Sequence, residues 1–348
     1  MDVKINNVKV SVIAATLPDE EFDLTALYDI YDEEEIDRII KVNGISKIRV
    51  APEGLCASDL CENAARLIFQ NYEKEKVQGV VFVSQTPDYI LPSTSSCLQY
   101  RLGLSKECVA FDIMNGCPGY IYGLFQAAML ISSGSCDAVL VCAGDVITPF
   151  INPLDKSNRM VFGDAGSATI VEKGSGNLSF SIMTDGSGAA HLIIPAGGCK
   201  SPKDENTELV SVRSDGNMRS DEDLFMNGLE ILNFSMSQVP ERVNSVLTTQ
   251  GWEKSQVRLF GFHQANQFVL DYLRKKMNIS KKSLPVSMQK TGNTGQASIP
   301  LMLTQEYKRL AEENRFEKSV LCGFGVGLSC ASVALNLENA NILSTHYL

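Results

Sequence analysis

Histidine is scarce in this chain of 348 residues: His191, His263 and His346 are all there is. The ten cysteines form no CxxC pair; Cys56 and Cys61 are five apart, Cys136 and Cys142 six, Cys322 and Cys330 eight. Zinc sites are usually built on tighter ligand pairs, so no metal is expected. No Walker-type GKS or GKT occurs, and GFGVGLS (Gly323 to Ser329) lacks the GxGxxG spacing of a dinucleotide loop. A nicotinamide-dependent oxidoreductase is excluded on that ground, and no cofactor is expected. No apolar run approaches the ~20 residues of a membrane span. The opening MDVKINNVKVSVIAATLPDE has no basic region followed by an apolar block. It reads as a first β-strand, with a cytoplasmic location and no membrane partner expected. Lys and Arg total 31 against 41 Asp and Glu, a net charge of -10. That balance argues against a nucleic-acid partner, since phosphate neutralisation needs clustered cations.

What is present is an ordinary globular composition, 44% hydrophobic and 21% charged, long enough for two core-bearing halves. Short valine-rich runs alternate with helical patterns. GVVFVSQTP, ECVAFDI, CDAVLVCAGD and GSATIVEK read as strands; SSCLQYRLGL and Pro118 to Ser133 read as helices. The second half repeats the style, with VRLFGFHQAN and SVLCGFGVG as strand-then-loop units and helices over Asn266 to Met277 and Ser298 to Glu313. This is an α/β class with largely buried sheets. Each half closes on a glycine-rich turn feeding a strand, so residues 1–172 and 173–348 read as an internal duplication. Ala196 to Asp223 is polar and glycine-dotted. It reads as a long surface loop, either a functional lid or a solvated insertion.

Three residues are candidates for chemistry. Cys117 stands in DIMNGCPGYIYG, between glycines and before a proline suited to the first helical turn. A thiol at a helix N-terminus gains thiolate character from the dipole and free N–H groups, and the flanking glycines leave room for substrate. The plainer reading is a cysteine tolerated in a tight turn. His263 lies where an apolar strand ends, as sites do in α/β folds. It is equally readable as a hydrogen-bonded loop residue; His191 is a weaker rival and His346 sits in the tail. Asn293, in QKTGNTGQASIP, is a candidate or simple turn chemistry. GFGVGLS suits a backbone oxyanion site.

Taken in order, NGCPGY, GFHQAN and GNTGQASIP resemble the ketosynthase III family of the thiolase superfamily, the condensing enzymes that start fatty acid synthesis. The resemblance extends through LPSTSSCLQYRLGL, RMVFGDAGSATIVE, FMNGLEILNFSMSQVPERV and GFGVGLSCASVAL, nearly the whole chain. It implies a five-layer αβαβα thiolase-like fold of two similar halves, and a homodimer. It implies Cys117 as acyl-accepting nucleophile. His263 and Asn293 would stabilise the enolate of a decarboxylating malonyl-type thioester, and the N–H groups of Cys117 and Val326 would cradle an oxyanion. Leu91 falls at the gate that the partner subunit contributes to the acyl pocket, where phenylalanine is common.

The departures cluster where family members bind coenzyme A. The helix YDEEEIDRIIKVNGI has no tryptophan for the adenine; the chain's only one is Trp252. Phe268, Leu229 and Lys156 stand where an arginine, an asparagine and an arginine of the tunnel are usual. An acyl-carrier protein is therefore a donor to weigh beside acyl-coenzyme A. The basic run Arg274, Lys275 and Lys276 falls where the resemblance places docking of an acidic carrier; by itself it reads equally as a solvated helix face. The leading function is decarboxylative condensation to a 3-oxoacyl product. Two others are weighed: transfer of the acyl group to an amine or hydroxyl, and a catalytically silent carrier-binding protein.

Overall fold

The structure, a computed structural model, describes residues 1–348. The first half contains β1 (Asp2–Leu17), α1 (Glu33–Asn43), α2 (Ala57–Ile68), β2 (Gly79–Val83), α3 (Thr94–Arg101), β3 (Val109–Ile113), α4 (Gly119–Ser132), β4 (Ala138–Asp145), the one-turn α5 (Lys156–Arg159) and β5 (Ala165–Thr184). The second contains α6 (Gly228–Gln250), β6 (Leu259–Phe262), α7 (Gln267–Lys276), α8 (Ser298–Glu312), β7 (Ser319–Gly325) and β8 (Ser329–Leu335).

Two long strands organise the rest. The strand order is β6-β7-β8-β5-β4-β2-β3, with β1 on β5. Along β5, Ala165 to Glu172 pair with β4, while Ser179 to Thr184 pair with β8. On its other edge, Gly166 to Lys173 face Thr16 to Val8 of β1, and Asn177 to Ser181 face Asn6 to Asp2. The pair shifts register between Asn6 and Val8, opposite the stretch of β5 where the partners change, and again between Val10 and Val12. One hydrogen-bonded sheet is thereby divided into two packed leaves. β2 is parallel to β3 and to β4 and buried along its whole length. This is why GVVFV is a continuous apolar run rather than an alternating one.

α4 lies between the leaves. Its Tyr120, Ile121, Leu124, Ala127 and Ala128 are in the largest core cluster, of 32 residues, with Val81 and Val139 from one leaf and Phe180 and Val333 from the other. Ile299 and Met302 of α8 join them. α2 covers the outer face of the first leaf through Leu60, Ala64 and Ile68. α6 and α7 cover the second through Val239, Val243, Leu270 and Leu273. The layers run helix, sheet, helix, sheet, helix. The segment of residues 196–223 is only partly a surface loop. It contains a hairpin of Ser211–Val212 with Met218–Arg219, and Asn217, Arg219 and Ser220 are buried.

Candidate active site

The site forms where strands end and the two central helices begin. Cys117 follows β3, His263 follows β6, Asn293 precedes α8, and Gly325 ends β7. Pro118 takes the N-cap position of α4, with Gly119 as the first helical residue. Cys117 is therefore one residue further from the helix than its proline suggested. The flanking glycines also serve packing rather than substrate access. A Cβ at Gly116 would meet the Gln85 side chain and Val326 Cγ1 at 2.5 Å; one at Gly119 would meet Val83 Cγ1 at 2.7 Å. The glycine that bears on the thiol is Gly325. Its φ is +151°, and a Cβ there would lie 2.8 Å from Cys117 Sγ.

Cys117 is 8% exposed. Burial pushes its thiol up to about 11, against the pull of the Val326 and Cys117 N–H groups, which favour thiolate; buried Asp145 adds to the rise. The thiolate enhancement expected from the helix terminus is outweighed in the free site, because desolvation of a sulfur anion is the larger effect.

His263 is 1% exposed, and burial lowers it to about 4 against a small opposing pull from the Gly295 backbone. It is therefore neutral at physiological pH. Its Nδ1 lies 2.7 Å from Ser298 Oγ, which accepts the Gln264 N–H at 3.3 Å. Phe324 packs edge-on against the imidazole, centroids 5.4 Å apart. Asn293 is clamped through its backbone: its N–H donates to the Val161 carbonyl at 2.7 Å, and its carbonyl accepts the Gly163 N–H at 3.1 Å. Its Oδ1 accepts the Gly295 N–H at 3.0 Å. The amide oxygen is thus engaged, and Nδ2 is left to donate.

Two cavities meet at the thiol. The smaller, about 70 Å³, is lined by Cys117, His263 and Asn293 with Phe324, Gly325 and apolar side chains of α6 and α7. The larger, about 320 Å³, runs from Cys117 between Met114, Ile147, Ile194, Leu224 and Val326, with Gln85 and Asp145 as its polar members. Phe162 and Leu192 line both. An arrangement of this kind can bind one group in the apolar cavity and hold a second reactant's oxygen against two donors, with the sulfur at the junction.

Other expected residues lie outside these cavities. Leu91 is 80% exposed, in a loop with Tyr89 and Ile90 also open. Leu229 and Phe268 are exposed beside the cavity-lining Gly228 and Val269. Lys156 pairs with Glu35 at 2.8 Å and lies over the Tyr31 ring. The glutamates of α1 thus have local roles: they fill the helix's first turn, and Glu35 also holds Lys156. Arg274 contacts Asp271 at 3.4 Å, Lys276 Nζ donates to the Met236 carbonyl at 2.7 Å, and Lys275 is exposed. His191 lines neither cavity, and His346 pairs in a short strand with Thr16 of β1 rather than fraying. Sequence reasoning missed Ser298, Phe162, Leu192 and Asp145. Ser298 had one available signal, a polar residue opening a helix whose next five residues are apolar; the other three are brought in by tertiary folding.

Comparison with known proteins agrees with this layout. Residues 111–186 match the family model for 3-oxoacyl-[acyl-carrier-protein] synthase III, and residues 247–337 match its C-terminal model. The chain is 30% identical over 341 residues to the beta-ketoacyl-[acyl-carrier-protein] synthase III of Chlamydia caviae, covering 95% of this chain and 97% of that one. It is 31% identical to the enzyme of the same name from Syntrophomonas wolfei, over 85% of this chain and 88% of that one. The crystal structure of a 3-oxoacyl-(acyl-carrier protein) synthase from Burkholderia xenovorans superposes with a TM-score of 0.92 at 36% identity, covering 100% and 99% of the two chains. The chain belongs to the 3-oxoacyl-[acyl-carrier-protein] synthase III family of acyltransferases and has that family's thiolase fold.

Proposed function

We propose that Cys117 takes an acyl group from a thioester and that the acyl-enzyme condenses with a malonyl-type thioester, with loss of carbon dioxide, to give a 3-oxoacyl product. The observation that carries this reading is the junction of two cavities on one sulfur, one apolar and one containing His263 and Asn293. The names of the related enzymes support it. In the first step Cys117 Sγ attacks the donor carbonyl, and the N–H groups of Cys117 and Val326 hold the oxyanion. The Cys117 proton ends on the departing carrier thiol, so no net proton is exchanged with water. In the second step His263 and Asn293 Nδ2 donate to the malonyl thioester oxygen as carbon dioxide departs, stabilising the enolate. In the tautomer this role requires, the Ser298 hydroxyl donates to Nδ1 and the Nε2 hydrogen faces the substrate. The enolate carbon then attacks acyl-Cys117, the carbon–sulfur bond breaks, and the sulfur leaves as a thiolate that takes one proton from solvent.

An acyl-carrier protein is the favoured donor, supported by Lys156 being engaged with Glu35 and by Leu229 and Phe268 at the tunnel mouth. Arg274, Lys275 and Lys276 form the proposed docking surface for an acidic carrier. A homodimer is supported by the edge strand β3, which has no partner on its outer side, and by the exposed Tyr89–Leu91 loop that would bring Leu91 to the neighbouring acyl cavity. Division into residues 1–172 and 173–348 is supported by the change of strand partner along β5. A cytoplasmic location is supported by ten free thiols. No helix is long and apolar enough to cross a membrane.

Intact-protein mass spectrometry tests the reading. Wild-type protein and Cys117→Ser are incubated with acyl-coenzyme A and acyl-carrier thioesters, then chased with malonyl-carrier protein. The expected result is an adduct absent from the variant and lost on the chase as 3-oxoacyl product appears. An adduct that persists through the chase contradicts condensation.

A further inference from the structure

The segment of residues 196–223 returns to the core at a buried cluster outside the site. Arg219 is 3% exposed and Asp155 0%. Arg219 Nη1 donates to Asp155 Oδ2 at 2.7 Å, and Nη2 donates to Asp215 Oδ2 at 2.6 Å. Asp155 caps α5: its Oδ1 accepts the Asn158 N–H at 3.1 Å, and its Oδ2 also accepts Asn158 Nδ2 at 2.9 Å. Two branches leave Asn158. Its Nδ2 donates to the Leu224 carbonyl at 2.9 Å, and Leu224 lines the cavity proposed for the acyl group. Its own carbonyl accepts the N–H groups of Val161 at 3.0 Å and Phe162 at 3.2 Å, and the Val161 carbonyl holds the Asn293 N–H.

We propose that Arg219 is a positioning residue that acts through Asp155 and Asn158 to fix two parts of the site, the Leu224 wall of the acyl cavity and the backbone of Asn293. The inference rests on the condensing activity proposed above. Breaking a buried ion pair by removing one partner is costly, and Arg219 is the cation that Asp155 meets. Without that guanidinium Asp155 Oδ2 loses its charged donor, and whatever replaces it competes with Asn158 Nδ2 for the same oxygen. The long segment would therefore act on acyl-chain selection and on decarboxylation without touching substrate.

The test uses the full chain as Arg219→Met, Arg219→Lys and Asp215→Asn beside wild type. Two probes of Cys117 are compared, iodoacetamide and an N-alkyl iodoacetamide with a long chain, together with carbon dioxide release from malonyl-carrier protein. In Arg219→Met the long-to-short alkylation ratio shifts by about tenfold or more and carbon dioxide release falls by a similar factor, because site groups displaced by ~1 Å lose that much or more. Arg219→Lys restores most of both. A residue that served stability alone would lower the melting temperature and leave the ratio in place. If Arg219→Met does not fold, Asp215→Asn, which keeps Asp155 paired, shifts the ratio in the same direction by a smaller factor. A ratio within about twofold of wild type in every folded variant overturns the inference. The alkylation ratio needs no natural substrate, so failure of wild type to accept any thioester would overturn the proposed function separately.

Discussion

At Cys117, burial and hydrogen bonding pull the thiol in opposite directions, and burial prevails in the free protein, up to about 11. Alkylation proceeds through the thiolate. Its rate by iodoacetamide is therefore expected to climb roughly tenfold per pH unit from neutrality towards pH 9. A plateau below pH 8 would show that the two N–H groups win. The same shift has a stability counterpart. A thiol held neutral up to about 11, against 9.0 when unfolded, contributes fully below pH 9 and loses its contribution as pH rises towards 11. His263 works at the other end. It titrates at about 4 rather than 6.5, so the unfolded chain binds the extra proton first as pH falls, and stability drops from pH 6.5 towards 4. Melting temperature should be highest between those limits, and His263→Asn should move the acid fall to lower pH. Ser298→Ala leaves His263 Nδ1 without its partner. Losing that one hydrogen bond is worth about 1–3 kcal/mol. The expected result is a fall in carbon dioxide release with acyl-Cys117 formation retained; equal loss of both would contradict the division of roles. Gly325→Ala has no room beside the sulfur, so acylation should be lost.

Among the elements, α4 ties the thiol to the core. Leu124 is fully buried between the two leaves, and Leu124→Ala should cost about 2–5 kcal/mol, read as a shift in denaturant midpoint. α4 was legible beforehand because its apolar spacing is strong and a proline marks its start. β2, β3, β4, β6, α7 and α8 were legible for similar reasons of pattern and punctuation. Cys117, His263 and Asn293 could be named because each is a chemistry-bearing residue beside glycine or at a strand end, in a recognisable order. Other features were not legible, and the reasons are physical. β5 reads as an eight-residue strand, GSATIVEK, but runs from Ala165 to Thr184, because its second part is held by β8 and β1 rather than by its own alternation. The thiol's upward shift comes from neighbours distant in sequence. Arg219 looks like one more charge in a polar loop until Asp155 is brought against it.

At the scale of the whole molecule, the fold sets two leaves around a shared helical layer so that their strand ends deliver Cys117 from one and His263 from the other. In the proposed dimer, the open edge of β3 and the exposed Leu91 loop would meet the second copy. Sedimentation should therefore give twice the chain mass, and Leu91→Asp should reduce acylation while leaving malonyl decarboxylation intact. A monomer with full activity would contradict that. The central claim is that the cavities divide the labour at Cys117. The direct measurement is carbon dioxide release from malonyl-carrier protein by His263→Ala and Asn293→Ala, run beside acyl-Cys117 formation in the same preparations. Carbon dioxide release is expected to fall by ~10²-fold or more in both variants, as for removal of one oxyanion donor, with the acyl adduct still forming. Loss of the adduct with decarboxylation intact would reverse the assignment and contradict the account.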